Sequence, residues 1–376
     1  MSGNDRRIRV GILGASGYAG AELARLLVPH PNVEIVLLTA DRKAGQPVGE
    51  VFPHLAGRGL PYLMSLSEVE WSGLEIDIVF CALPHGTTQD IVAGLLHETG
   101  HGLVDELVVE EQKDLVSSIK SGVKVIDLSA DFRIENLDTY AEWYGQPHRA
   151  PNLQTEAVYG LSEFAREEIR SSRLVACPGC YPTVSLLPLL PLLEAGQVDP
   201  HDIIIDAKSG VTGAGRALKE NMLFAEVGEG IHAYGIAHHR HGPEIEQELS
   251  HAAGEDITVN FTPHLIPMNR GILATVYVRL ANGAAAGDLR ETLERRYADE
   301  PFVGVVPDGV APATRHVRGS NHCLIGVFAD RIAGRAIIVS VLDNLVKGAA
   351  GQAVQNMNLV CGLPETTGLE QVPLFP

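Results

Sequence analysis

The run IRVGILGASGYAGAELARLL, which begins at Ile8, constrains this chain more than any other segment. A β-branched apolar stretch is followed by glycines at 14, 17 and 20, then by apolar residues at helical spacing that end near Pro29. That order reads as strand, tight turn and helix. Three further buried-strand patterns follow, VEIVLLTA, IDIVFCAL and VKVIDLS, with helical segments between several of them. Strands that alternate with helices imply a parallel, doubly wound sheet.

At 376 residues the chain is long for one core, since cores tend to split beyond roughly 250–300 residues, so two domains are expected. After about Cys180 the texture changes. Longer strand-like runs appear, DIIIDAKSGV, VNFTPHLIPM, ILATVYVRL and RAIIVSVL, with fewer helices between them, which suits a mixed or antiparallel second sheet. The stretch VSLLPLLPLLEAG, with Pro188 and Pro191, is too short to span a bilayer and reads as a buried helix. The stretch DNLVKGAAGQAVQNMNLV reads as one helix from Asp343 onward.

A net charge of −18 disfavours nucleic-acid and anionic-membrane partners, so an anionic ligand would need local cations. The start, MSGNDRRIRV, lacks the apolar run of a signal peptide, and a cytoplasmic location with reduced thiols is expected for the five cysteines.

Several constellations carry chemistry. In GASGYAG, small residues let a dinucleotide pyrophosphate approach the helix start, where Gly14, Ser16, Gly17, Tyr18 and Ala19 would contact it. After the second strand, TADRK sets Asp41 against Arg42, a carboxylate suited to a ribose hydroxyl against a cation suited to a 2′-phosphate. In CPGCYPT, Cys180 stands at the start of an apolar helix whose dipole and unpaired amides favour thiolate, which makes it a candidate nucleophile. The Cys177/Cys180 spacing also fits a redox pair or half a zinc site. A second ligand pair would be needed about 12–15 residues away, and the HHRH run at His238 comes far later, so no metal is expected. In AHHRHGPEIE, His239, His241 and Glu244 suit proton transfer, with Arg240 beside an anion. The loop KSGVTGAGR, with Lys208 and Gly210, could wrap a phosphate.

Together, GASGYAG, PGCYPT, KSGVTGAGR, HRHGPEI and DNLVKGAAGQAVQNMN resemble the N-acetyl-γ-glutamyl-phosphate reductase family, in the wider aspartate-semialdehyde and glyceraldehyde-phosphate dehydrogenase group. The likeness spans essentially the whole chain. It implies a Rossmann-like NADP-binding domain over 1–178, to which 343–376 returns, and an α+β catalytic and oligomerisation domain with a mixed sheet over 179–342. It implies NADPH-dependent reduction of an acyl phosphate through a thioester on Cys180. His239 would be the acid–base residue, with His241 as the second candidate. Pro84 and Asn344 would flank the nicotinamide, Ser129 and Arg133 would join Lys208 and Arg240 around the substrate, and a homodimer or homotetramer would form. Alternatives are an aminoadipyl-phosphate reductase and an NADP-sensing protein without catalysis. Two positions depart from the family pattern. Asparagine commonly stands where this chain has Cys177, which opens a disulfide with Cys180, and Ala40 and Asp41 replace a serine and an arginine, which leaves Arg42 and Lys43 to hold a 2′-phosphate.

Overall fold

The computed structural model describes residues 6–96 and 122–376. The chain divides into two compact units, one formed by Met1–Pro178 with Ala350–Leu369, the other by Gly179–Ala349 with Glu370–Pro376.

The first unit is built on seven parallel strands. In chain order they are β1 (Ile8–Leu13), β2 (Val33–Thr39), β3 (Leu63–Met64), β4 (Ile78–Cys81), β5 (Lys124–Asp127), β6 (Val158–Tyr159) and β7 (Leu174–Ala176), arranged 3-2-1-4-5-7-6. The four runs read from the sequence form β1, β2, β4 and β5, and β4 is buried along its whole length, as a strand covered on both faces must be. Helix Tyr18–Leu27 turns Leu23, Ala24, Leu26 and Leu27 inward. The turn before it depends on glycine. Gly14 has φ +82°, and a Cβ there would sit 2.3 Å from the Ala82 carbonyl oxygen. Gly20 lets the helix close on that turn, since its Cβ would fall 2.5 Å from the Gly14 oxygen.

Helix Gly351–Val360 belongs to this unit and is wholly buried, although four of its ten residues carry amides. All four donate to named partners, Gln355 to Glu163 and Glu365, although the Gln352 oxygen has no hydrogen-bond partner among the described residues. Gln352 donates to the Gly160 carbonyl and the Ser162 hydroxyl, and Asn356 donates to Gly160 while accepting from Ser162 at 2.6 Å. Asn358 reaches His30 and the carbonyls of Glu365 and Thr367. Buried polar groups satisfied in this way fix one packing rather than many.

The second unit carries β8 (Val198–Gly210), β9 (His232–Ala233), β10 (Asn260–Ile266), β11 (Ile272–Leu280), β12 (Val303–Val305), β13 (Cys323–Ala329) and β14 (Arg335–Leu342), in the order 12-13-14-11-8-10-9. Pairs β8/β10 and β12/β13 are parallel and the rest antiparallel, so the sheet is mixed. Strict alternation buries Ile203, Ile205 and Ala207 of β8 and Ala274, Val276 and Val278 of β11. Ile204, Thr275, Tyr277, Ile337 and Phe328 are left half-buried on the opposite face. Helix Cys180–Glu194 is buried from Tyr181 to Leu193, prolines included, and packs on β8, β11 and β14. Among the described residues no helix is long and apolar enough to cross a membrane.

The C-terminal segment departs from the expected single helix returning from Asp343. Residues 343–349 stay with the second unit, a π-helical turn spans Val346–Ala350, and the α-helix starts only at Gly351. The cause is Asp343, whose buried carboxylate accepts the amides of Leu345, Val346 and Gly319 and holds the chain end of β14 in a turn. Residues 370–376 likewise belong to the second unit, where the Leu374 amide bonds the Arg318 carbonyl.

Candidate active site

Cys180 is the first residue of its helix, and the preceding Gly179 has extended angles (φ −66°, ψ 157°) without a side-chain cap on the helix amides. Cys180 therefore stands at the positive end of the helix dipole, which stabilises negative charge. Glu244 fixes the approach to that turn. Its carboxylate is fully buried, and Oε1 accepts the Gly179 amide at 2.7 Å. The Glu244 carboxylate thus holds the residue before Cys180. Pro243 and Glu244 stand in the first turn of helix Gly242–Ala253, which closes at Gly254 in the left-handed conformation.

His239 and His241 lie just before that helix, with ring centroids 4.9 Å apart and inclined by 60°. Both rings meet Tyr181 edge-on, at 5.6 and 5.8 Å, and His239 also packs against Tyr234 and Phe261. Burial, reinforced by the Arg240 guanidinium, pushes the His239 imidazole down to about 4. His239 Nδ1 accepts the His241 amide at 3.1 Å, so the neutral ring carries its proton on Nε2. Tyr234 donates to the Tyr181 hydroxyl at 3.0 Å, and Tyr181 reaches the His264 carbonyl at 3.4 Å. Burial raises both phenols, and the neighbouring Cys180 raises them further. They stay protonated donors around the thiol.

Lys208 and Gly210 lie at the end of β8. Lys208 Nζ is 2.6 Å from Asp206, which also lies 3.2 Å from His264 Nδ1. Gly210 cannot bear a side chain, because a Cβ would come within 2.8 Å of the Met268 and Asn269 backbone. Asn344 is buried and staples this loop, accepting the Gly271 amide and donating to the Thr212 hydroxyl. Arg240 is exposed.

The other expected residues lie in the first unit. Gly17 caps helix Tyr18–Leu27, with Ser16, Tyr18 and Ala19 beside it, and the Gly14 and Ala15 amides bond Thr39 at the end of β2. Asp41 and Arg42 are exposed in the turn that follows. Pro84 is exposed in a loop fastened by Asp131, which accepts the amides of Gly86 and Thr88. Ser129 and Arg133 are nearly inaccessible, at 1% and 5% exposure. Ser129 donates to Asp127 at 2.7 Å, and Arg133 donates to the Leu128 carbonyl. Cys177 is a buried thiol pushed up to about 12 by burial, with the Asn356 amide 3.6 Å from its sulfur, and both it and Cys180 are reduced.

Residues 9–106 match the family described as semialdehyde dehydrogenase, NAD binding domain, and residues 180–344 match semialdehyde dehydrogenase, dimerisation domain. Over 98% of the chain and 99% of the relative, the sequence is 58% identical to N-acetyl-gamma-glutamyl-phosphate reductase of Rhodospirillum rubrum. The chain belongs to the N-acetyl-gamma-glutamyl-phosphate reductase family. Identity to the family member from Afipia carboxidovorans is 56%, covering 97% of this chain and 98% of that one. With the probable chloroplastic reductase of Arabidopsis thaliana it is 53%, covering 99% and 86%. As a family reductase the chain is an oxidoreductase that uses a nicotinamide cofactor, and its second unit is of the dimerising type. Its fold is shared with aspartate semialdehyde dehydrogenase II from Vibrio cholerae, at a TM-score of 0.66 and 18% identity over 95% of this chain and 99% of that one.

Beyond the residues read from the family motifs, the site includes Tyr181, Tyr234, Asp206, His264 and Gly348. Tyr181 was open to detection, since it follows Cys180 directly. Asp206 and His264 approach through the sheet register, which pairs His264 with Lys208, whereas Tyr234 and Gly348 approach from turns, at the Tyr181 hydroxyl and at Cys180.

Proposed function

We propose that this chain reduces N-acetyl-γ-glutamyl phosphate to N-acetylglutamate 5-semialdehyde and phosphate, in arginine biosynthesis, as a cytoplasmic homodimer or homotetramer. The observation that carries the chemistry is a free thiol at a helix start, followed directly by Tyr181, whose ring meets His239 and His241 and whose hydroxyl accepts from Tyr234. An acyl phosphate is a strong electrophile with a good leaving group. The Cys180 sulfur bonds to the acyl carbon, the carbon–oxygen bond to phosphate breaks, and a thioester results. NADPH, when bound, supplies the hydride that reduces this thioester.

The Gly14 and Gly20 turn, closed against the Ala82 carbonyl and against itself, sets the end of β1 beside the start of helix Tyr18–Leu27, where a dinucleotide pyrophosphate would bind. Arg42 would hold the 2′-phosphate of NADPH. His239, kept neutral by burial, donates from Nε2 to the carbonyl oxygen and to the oxyanion that replaces it. Collapse of the oxyanion releases the aldehyde and returns Cys180 as thiolate. Arg240, exposed beside His239, is the cation placed to meet a substrate anion. The uncovered face of the mixed sheet, with Ile204, Tyr277, Ile337 and Phe328, would join the subunits.

The test is the reverse reaction, phosphate-dependent reduction of NADP⁺ by N-acetylglutamate semialdehyde. Cys180→Ser should abolish it while the cofactor still binds, because a hydroxyl lacks an accessible anion, and Cys177→Ser should remain active. A folded Cys180→Ser enzyme that turns over, or loss confined to Cys177→Ser, would refute the assignment.

A further inference from the structure

The face of Cys180 turned toward the end of β14 is set by Gly348. A Cβ built on Gly348 would lie 2.8 Å from the Cys180 Cβ, 3.3 Å from its Cα and 3.2 Å from Leu342 Cδ1. The first two contacts are with atoms that cannot rotate away. Gly348 sits in the π-helical turn Val346–Ala350, where the ring closed by one extra residue is wider than an α-turn. Its amide reaches back to the Asp343 carbonyl at 3.0 Å, the i to i−5 bond of that geometry.

The turn is held at both ends of its reach. Asp343 is wholly buried, takes the amides of Leu345, Val346 and Gly319, and stands 3.6 Å from Arg270. Lys347, also wholly buried, places Nζ over the Phe302 ring at 5.9 Å. Such turns recur at functional sites.

We infer that Gly348 is a positioning residue for the nucleophile, with the π-turn acting as a backstop that fixes the depth of Cys180 at its helix start. The inference deepens the proposed reaction and rests on Cys180 being its nucleophile. An added methyl would force Cys180 back by roughly 0.6–1 Å to reach ordinary van der Waals separation, and a misplacement of about 1 Å at a reacting atom can lower the rate on the order of 100-fold.

The experiment is a cycle of Gly348→Ala, Cys180→Gly and the double variant. Gly348→Ala should lower kcat at least tenfold while leaving the KM for NADPH within twofold, a split that general loss of structure would not give. Its fall in Tm should be smaller in the Cys180→Gly background, where the closest of the three contacts, that with the Cβ, is gone. If Gly348→Ala alone does not fold, a folded double variant supports the contact, and failure of both overturns it. An equal fall in Tm in both backgrounds, or kcat within twofold of the unsubstituted enzyme, also overturns it. The Tm arm needs no turnover, so a wrong choice of nucleophile would leave the coupling intact while Cys180→Ser stayed active, and the two failures remain distinct.

Discussion

Asp127→Asn should change how the stability of the first unit depends on pH. Asp127 ends β5, is fully buried, and accepts the amide of Ser129 at 2.9 Å and its hydroxyl at 2.7 Å. Burial is the main reason its carboxyl is pushed up from 3.8 to about 7, with Asp131 adding to the rise and the Ser129 bonds opposing it. A carboxyl raised in the folded state holds its proton better folded than unfolded. It therefore contributes stability that is complete below about pH 4 and is lost as pH climbs through about 7. At 1.36 kcal/mol per pH unit, that window corresponds to about 4 kcal/mol. Asparagine keeps the acceptor for the Ser129 amide and cannot ionise. Whatever fixed cost the substitution carries, the variant should gain on the unsubstituted protein by about 4 kcal/mol between pH 4 and pH 8. Both tryptophans of the chain, Trp71 and Trp143, lie in the first unit, so urea titrations followed by tryptophan fluorescence read that unit alone. A stability difference that stays flat across this range, or falls with pH, would refute a buried carboxyl that titrates near neutrality.

His239→Asn should lower kcat on the order of 10²–10³-fold, the effect of losing one donor to an oxyanion, with NADPH binding unchanged. Because burial holds His239 near 4, any limb of the pH profile between 6 and 8 should survive that substitution; the same loss in His241→Asn, with His239→Asn near normal, would move the role to His241. NADPH should outcompete NADH, and Arg42→Ala should narrow the preference; equal use of the two cofactors by the unsubstituted enzyme would remove Arg42 from the 2′-phosphate site. Ile337→Lys, in the middle of the uncovered sheet face between Phe328 and Tyr277, should reduce the mass in light scattering, and an unchanged mass would place the subunit contact elsewhere.

Much of this fold was legible because several of its strands are rich in β-branched apolar residues and its first turn spells out its glycines. The strands that escaped notice had little to announce them. Leu63–Met64, Val158–Tyr159 and His232–Ala233 are two residues each, too short for any period to register. Cys323–Ala329 is a continuous apolar run without alternation, a pattern that does not separate strand from helix. The place of Cys180 at a helix start was legible from the glycine and proline around it. Ser129 and Arg133 show the reverse: their motif suggested ligand contact, yet both side chains are buried on Asp127 and the Leu128 carbonyl, a second layer that sequence spacing does not reveal. Gly348 was unreadable in principle, since its importance comes from an approach to Cys180 that exists only once the chain is folded.

The buried helix Gly351–Val360 has a consequence for how the protein is made. Residues 1–178 leave the ribosome long before the amides of Gln352, Asn356 and Asn358 have been synthesised, so the Gly160 carbonyl, the Ser162 hydroxyl and His30 must wait for partners encoded beyond the whole of the second unit's main segment. Domains generally fold in the order of their synthesis, whereas the second unit here is complete but for its last seven residues before the first has its final helix. The nucleotide-binding half is therefore finished last although it is begun first. A reading frame that stops after residue 349 removes the helix from that half while leaving Cys180, His239 and Gly348 all encoded.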